Sequence, residues 1–227
     1  MRAFRAETPG HSIDMSRVEL PMMFNLHHPL NLEVIGAEAQ HDNMQSAAYR
    51  VIWGFLRKCP ASKVRFCIFD PKEGGGSVRM LSNFVNKMPD SYKRAVTQMS
   101  RTEELLSCLK ELEGQTLDFI RDRPDYDDLL DYNAHNPRRT EAITLLMLYD
   151  FPLNADARCL ELLSSVMQKG NRCGIYVVLC RNTAVEVASS YDHIDEKLAE
   201  LEKNCVQIEC KENGFALLLS LIHISEP

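Results

Sequence analysis

The chain has 227 residues, 45% of them apolar, with ten glycines, ten prolines and no low-complexity tract, which suits one globular domain with ragged ends. Its formal net charge of -6 excludes a sequence-independent grip on nucleic acid, which needs a basic face, so any DNA contact would have to be local or supplied by other domains. No run approaches the roughly 20 apolar residues of a membrane helix, and the opening MRAFRAETPGHSIDMSR lacks the apolar core of a signal peptide.

Residues 1–19 are mixed and polar and read as an arm or linker, with the domain proper over 20–218. ELPMMFNL (19–26) is predicted as a first strand and NLEVIG (31–36) as a buried strand ending in glycine. From Asn43 to Lys58 the apolar residues Met44, Ala47, Ala48, Val51, Ile52, Phe55 and Leu56 recur at intervals of three and four, the period of a helix, which Cys59-Pro60 stops. KVRFCIFD (63–70) is a strand closing on an aspartate, PKEGGG a loop, and RAVTQM a third short strand. A helix from Thr102 to Arg121 follows, with Leu105, Leu106, Leu109, Leu112, Leu117 and Ile120 on its buried side and a capping box of Ser100 and Glu103.

PDYDDLLDYNAHNP reads as a short helix, AITLLMLYD (142–150) as the most apolar strand, 155–169 as a helix ending at Gly170, and GIYVVLC (174–180) as another strand. A helix over 193–203 and a strand pair at CVQIEC and FALLL close the domain. The alternation of strands and helices, with central strands apolar throughout, predicts an α/β layered fold with a mostly parallel sheet covered on both faces. Ligands in such sheets bind at the carboxyl ends of strands, where Gly36, Asp70, Asp150 and Arg181 all lie.

Eight cysteines include no CxxC pair. Cys67, Cys173, Cys180, Cys205 and Cys210 sit in or beside strands and read as buried free thiols of a reducing compartment rather than zinc ligands. His41 with Asp42, and Asp192 with His193, read as surface polar residues before they read as acid–base or metal pairs.

VIGAEAQHDNM (34–44) has the layout of a phosphate-binding loop: a strand, a glycine, a seven-residue loop and a helix. With KVRFCIFDPKEGGG, LLMLYDF and MQKGNRCGIYVVLCRN in order behind it, residues 30–182 resemble the FtsK/HerA group of DNA-translocating P-loop ATPases, whose fold is RecA-like. Asp70, Pro71, Lys72 and Gly74 match that group's second-strand signature, Asp150 its Walker-B strand, and Gly170, Gly174 and Ile175 its glycine turn. The departures concern chemistry. Against GxxxxGK[ST] starting at Gly36, His41 stands for glycine, Asp42 for lysine and Asn43 for serine or threonine. Phe151 follows Asp150 where the group carries an acidic residue, Asn182 stands at the polar sensor, and Arg181 beside it has no evident role.

The resemblance implies a catalytically degenerate domain serving as a structural or regulatory module of a larger motor. Its partners would be neighbouring FtsK-like ATPase domains, in an assembly that the resemblance allows to be a hexameric ring, with DNA reached through the assembly. No cofactor is expected for such a chain, and its place is cytoplasmic, at the inner face of a membrane through a parent protein. Two other readings stay open. One is a divergent but active translocase using ATP and Mg²⁺, with Lys72 or Arg181 on the phosphates. The other is an unrelated Mg²⁺-dependent α/β enzyme using Asp70 and Asp150. Asp42 is expected to cap the helix after the loop. The end, SLIHISEP, changes character abruptly and reads as non-native or truncated sequence over 219–227.

Overall fold

The structure, a computed structural model, describes residues 6–8, 11–13, 31–71, 85–185, 194–211 and 214–218. Within the expected arm, β1 (Ala6–Thr8) and β2 (His11–Ile13) pair antiparallel. The strand expected at 19–26 lies outside the described residues, as do Lys72, Gly74, Asp192, His193 and the 219–227 tail.

The main sheet has seven strands: β3 (Asn31–Gly36), β4 (Val64–Phe69), β5 (Val96–Met99), β6 (Ile143–Phe151), β7 (Ile175–Asn182), β8 (Cys205–Lys211) and β9 (Gly214–Leu218). Their spatial order is β5-β4-β6-β7-β3-β8-β9, and only β9, on β8, runs antiparallel. This is the mostly parallel, layered α/β arrangement of a RecA-like P-loop NTPase. Chain order reverses around β3: the path leaves it for β4, returns through β6 and β7, and then crosses to β8. The carboxyl ends of β3 and β7 therefore flank the crevice where such sheets hold ligands.

Among the described residues, six helices flank the sheet: α1 (His41–Lys58), α2 (Asp90–Lys93), α3 (Thr102–Asp122), α4 (Leu129–His135), α5 (Ala157–Lys169) and α6 (Ile194–Glu202). The sheet separates two cores. On one face Met44, Ala48 and Ile52 of α1 pack on Val34, Phe66, Met147 and Val178. On the other, Leu105, Leu109 and Leu112 of α3 and Leu163 and Val166 of α5 pack on Cys67, Leu146 and Val177. Consecutive strand residues thus enter opposite cores, which is why the central strands are apolar throughout. All eight cysteines are free thiols, and Cys59 and Cys205 are only partly buried.

Two expectations for α3 need correction. Leu117, placed on the buried side by its spacing, is half-exposed. The cap uses Glu104 instead of Glu103, and the N-cap is Arg101 instead of Ser100. Glu104 Oε2 accepts from the amides of Ser100 (2.9 Å) and Arg101 (3.2 Å), and Oε1 from the Arg101 guanidinium. Those bonds, the Ser100 amide foremost, hold its carboxyl at about 2, below the usual carboxylate range. The stabilisation is therefore complete above the unfolded value and is lost as pH falls through that value toward the folded one. In acid titrations followed by circular dichroism, Glu104→Gln should be less stable than the parent above about pH 5, and the two should converge as pH approaches 2. A gap that does not change with pH would contradict this.

Candidate functional site

The loop after β3 is closed on itself. A 3-10 turn, Glu38–Gln40, runs directly into α1. The amide of Gln40 donates to Ala37 O (2.9 Å), that of Ala37 to Gln40 Oε1 (3.1 Å), and that of His41 to Glu38 O. These are N–H groups that a phosphate-binding loop would turn toward an anion. Gly36 has a packing reason of its own. A Cβ there would come within 3.0 Å of Met44 Sδ and 3.2 Å of Gln40 Cβ, so glycine lets α1 fold back over the strand end.

Asp42 is not the cap that the spacing suggested. The helix begins two residues earlier than expected, at His41, its N-cap is Gln40, and no side chain caps it. Asp42 is an exposed residue of the first turn, where its charge still meets the positive helix end. Asn43 reaches sideways instead, donating from Nδ2 to Lys211 O at 3.4 Å.

Asp150, Asn182, Glu38 and His41 converge over the carboxyl ends of β6 and β7. Strand β6 carries one residue more than β7 between Leu148↔Leu179 and Phe151↔Arg181, and Asp150 takes a left-handed conformation (φ 47°) in that bulge. A bulge re-aims its side chain, and aspartate tolerates this conformation better than most residues. The Phe151-Pro152 peptide that follows is cis. Asn182 Nδ2 donates to Glu38 Oε2 at 2.6 Å and to Asp150 Oδ1 at 3.1 Å. Its Oδ1 accepts from the Ala184 amide at 3.0 Å, which settles which end of the amide faces the carboxylates. His41 Nε2 lies 3.7 Å from Asp150 Oδ2. The amide of Thr183 donates to Gly36 O at 2.9 Å and ties the two strand ends together.

Asp70, at the end of β4, is buried, and its amide donates to Met99 O at 2.9 Å. Its charge reaches Tyr49, Tyr149 and Cys180. Burial first and that charge among others raise all three above their ordinary values, so they stay protonated at neutral pH. Pro71 is buried beside it. Phe151 is buried in the α3–α5 core, so the position after Asp150 contributes packing and no acid.

Arg181, without a role in the sequence, has one in the structure. Its guanidinium meets Glu33 Oε1 at 3.4 Å and also pairs with Glu202 of α6. Glu33 is fully buried in the middle of β3 and accepts from Gln207 Nε2 at 2.8 Å. The network joins β3, β7, β8 and α6, and it turns Arg181 away from the loop. Glu38 and Glu33 are the residues that sequence reasoning missed. Glu33 was detectable as a charge inside an apolar strand, whereas Glu38 occupies a position that the loop pattern leaves unspecified. Among the described residues no group of three or more His, Cys, Asp or Glu could hold a metal, and no helix is long and apolar enough to cross a membrane.

The layered sheet is that of a RecA-like P-loop NTPase fold, and comparison with solved structures gives the same fold. The cytoplasmic domain of the Thermomonospora curvata type VII secretion ATPase EccC aligns with a TM-score of 0.56 at 14% identity, over 91% of this chain and 23% of that one. The pCW3 conjugation coupling protein TcpA, in its monomer form with ATPγS, aligns with a TM-score of 0.58 at 10% identity, over 89% and 52%. EssC (ATPases 2 and 3) from Geobacillus thermodenitrificans aligns with a TM-score of 0.55 at 13% identity, over 80% and 32%. The chain thus spans about a quarter to a half of these proteins, and at such identities the likeness establishes the fold. No protein-family model and no curated protein matches the chain.

Proposed function

We propose that this chain is a catalytically degenerate FtsK/HerA-type ATPase domain, a structural or regulatory module of a larger motor. One observation carries the reading. The loop's amides at Ala37, Gln40 and His41 are spent internally, and the loop's own Glu38 carboxylate rests on Asn182, the position of the polar sensor. A carboxylate of the chain thus lies where an incoming phosphate would need a donor. Glu38 and the buried Asp150 both accept from Asn182, and Asp42 follows in the first turn of α1, so the chain's own carboxylates stand near the loop. At 4 Å and an effective dielectric of 20, each like-charge contact with a phosphate costs about 4 kcal/mol. A divergent active ATPase fits less well, because Arg181 is committed to Glu33 and Glu202.

In such a motor the partners are neighbouring ATPase domains, and DNA or another polymer is handled by the assembly. Calorimetric titration of the chain with a non-hydrolysable ATP analogue and Mg²⁺ should show binding no better than millimolar, and no turnover should be measurable. Micromolar binding would overturn the reading. The structure also sets the order of repair. His41→Gly, Asp42→Lys and Asn43→Ser together should recover little nucleotide binding until Glu38→Ala is added, because Glu38 still holds Asn182.

A further inference from the structure

Two thiols meet in the core between β4 and α3. Cys67 of β4 and Cys108 of α3 are both buried in the cluster that α3 forms on the sheet. An ion pair at the rim fixes their alignment. Arg65 Nη2 lies 3.1 Å from Glu111 Oε1, which also accepts from Gln115 Nε2 at 2.9 Å. Helix α3 runs against the direction of β4, because it leaves the carboxyl end of the parallel β5 and the chain then re-enters the sheet at the start of β6. Two residues on from Arg65 along β4, and about one turn back from Glu111 along α3, the two elements therefore bring Cys67 and Cys108 level.

Cys108 keeps its proton and donates it to the Cys67 sulfur, and the Arg65 guanidinium donates to the same sulfur. These bonds set Cys67 apart. The bond from Cys108 first, and Arg65 after it, hold the Cys67 thiol below the ordinary cysteine value in spite of burial and of Glu111. The same bond, with burial, pushes Cys108 up. Each of the other six thiols is shifted up, with burial as the first cause. The pair also lies near the sheet edge. Thr97, the register partner of Cys67 on β5, faces the same side and is exposed, as is Ser107 beside Cys108.

We propose that Cys67 and Cys108 are a modification site for a small hydroperoxide, which converts the two thiols into a disulfide between β4 and α3. The Cys67 sulfur attacks the terminal oxygen of the hydroperoxide. The O–O bond breaks, the leaving oxygen takes the proton that Cys67 released, and Cys67 becomes a sulfenic acid. Cys108 then attacks the Cys67 sulfur. The S–S bond forms as the S–O bond breaks, and the departing hydroxide takes the Cys108 proton and leaves as water. Two thiols are oxidised, one hydroperoxide is reduced by the same two electrons, and no other reactant is needed. The roles follow from the contacts: Cys67 is the sulfur that receives donors, and Cys108 already faces it. This site is independent of whether the crevice binds nucleotide.

The test uses the full chain, reduced and freed of reductant, with hydrogen peroxide as oxidant and peptide mass mapping as readout. The folded chain should lose two thiols and the mass of two hydrogens, and should yield a cross-linked peptide pair carrying Cys67 and Cys108, all reversed by dithiothreitol. With Cys108→Ser the reaction should stop at Cys67, where dimedone traps the sulfenic acid. With Cys67→Ser neither a cross-link nor a dimedone adduct at Cys108 should form. In urea the preference for this pair should vanish, since the fold creates it. Mapping of the parent chain decides the pairing even where a serine variant fails to fold. The proposal is overturned if Cys67 and Cys108 stay reduced while the partly buried Cys59 or Cys205 oxidises, or if the disulfide joins another pair. It is overturned equally if dimedone marks Cys108 in Cys67→Ser and spares Cys67 in Cys108→Ser.

Discussion

Arg181→Met should destabilise the fold by about 3 kcal/mol, the low end of the range for breaking a buried ion pair from one side. The cost is that of stranding Glu33, 1% exposed in the centre of the sheet, without its guanidinium. The low end applies because Gln207 still donates to the carboxylate and because Arg181 itself is partly solvated. Replacing both partners with apolar residues, Glu33→Leu with Arg181→Met, should recover most of the loss, since a buried pair often contributes little over a well-packed apolar one. Urea melts of the parent, the two single variants and the double variant give the coupling directly. Simple additivity in that cycle would show that the two residues do not act as a pair. An Arg181 that served a nucleotide instead would change ligand response and leave the midpoint alone.

The second large effect is expected at Gly174→Ala. Gly174 has φ 71°, in the left-handed region that side chains rarely adopt, and it links the 3-10 turn after α5 to β7. A Cβ there would collide with Leu129 Cδ2, and Leu129 is itself fully buried at the start of α4. The left-handed backbone costs roughly 1–2 kcal/mol for a residue with a Cβ, and displacing a packed leucine adds about 1–3. A loss of about 2–5 kcal/mol in a urea melt follows from the two together. Leu129→Ala in the same background separates them: it should remove the collision and leave the backbone cost. If Gly174→Ala melts like the parent, the turn does not need its left-handed residue.

Much of the fold was legible because its signals are local or periodic. Strand β3 coincides with NLEVIG, and β6 differs by one residue at each end from the apolar run that announced it. The period-three-and-four pattern found α1 with its start two residues late, and α3 with its start at Thr102 as expected but its capping residues each one position off. Those errors fall where periodicity is silent, at caps. Ser100 and Arg101 both donate to one carboxylate, so the capping spacing alone could not choose between Glu103 and Glu104. Leu117 was misplaced because a helix of 21 residues drifts around its axis, and an apolar residue at an acceptable interval can still face outward. The site was legible as a set of strand ends, since Gly36, Asp150 and Asn182 are positioned by the sheet. Its closure was not. The bond from Asn182 to Glu38 joins residues 144 positions apart, and no local pattern encodes it.

The extra residue of β6 has a consequence for how this domain could change over time. Between Leu148 and Phe151 the strand holds one residue more than β7 needs, and Asp150 lies in that surplus. Losing one residue there would bring Phe151 into register with Arg181 by an unbroken ladder, without asking the neighbouring strand to shift. The carboxylate is thus carried on a removable unit of the framework. A lineage could discard this strand-end acid in a single deletion and still inherit the sheet intact.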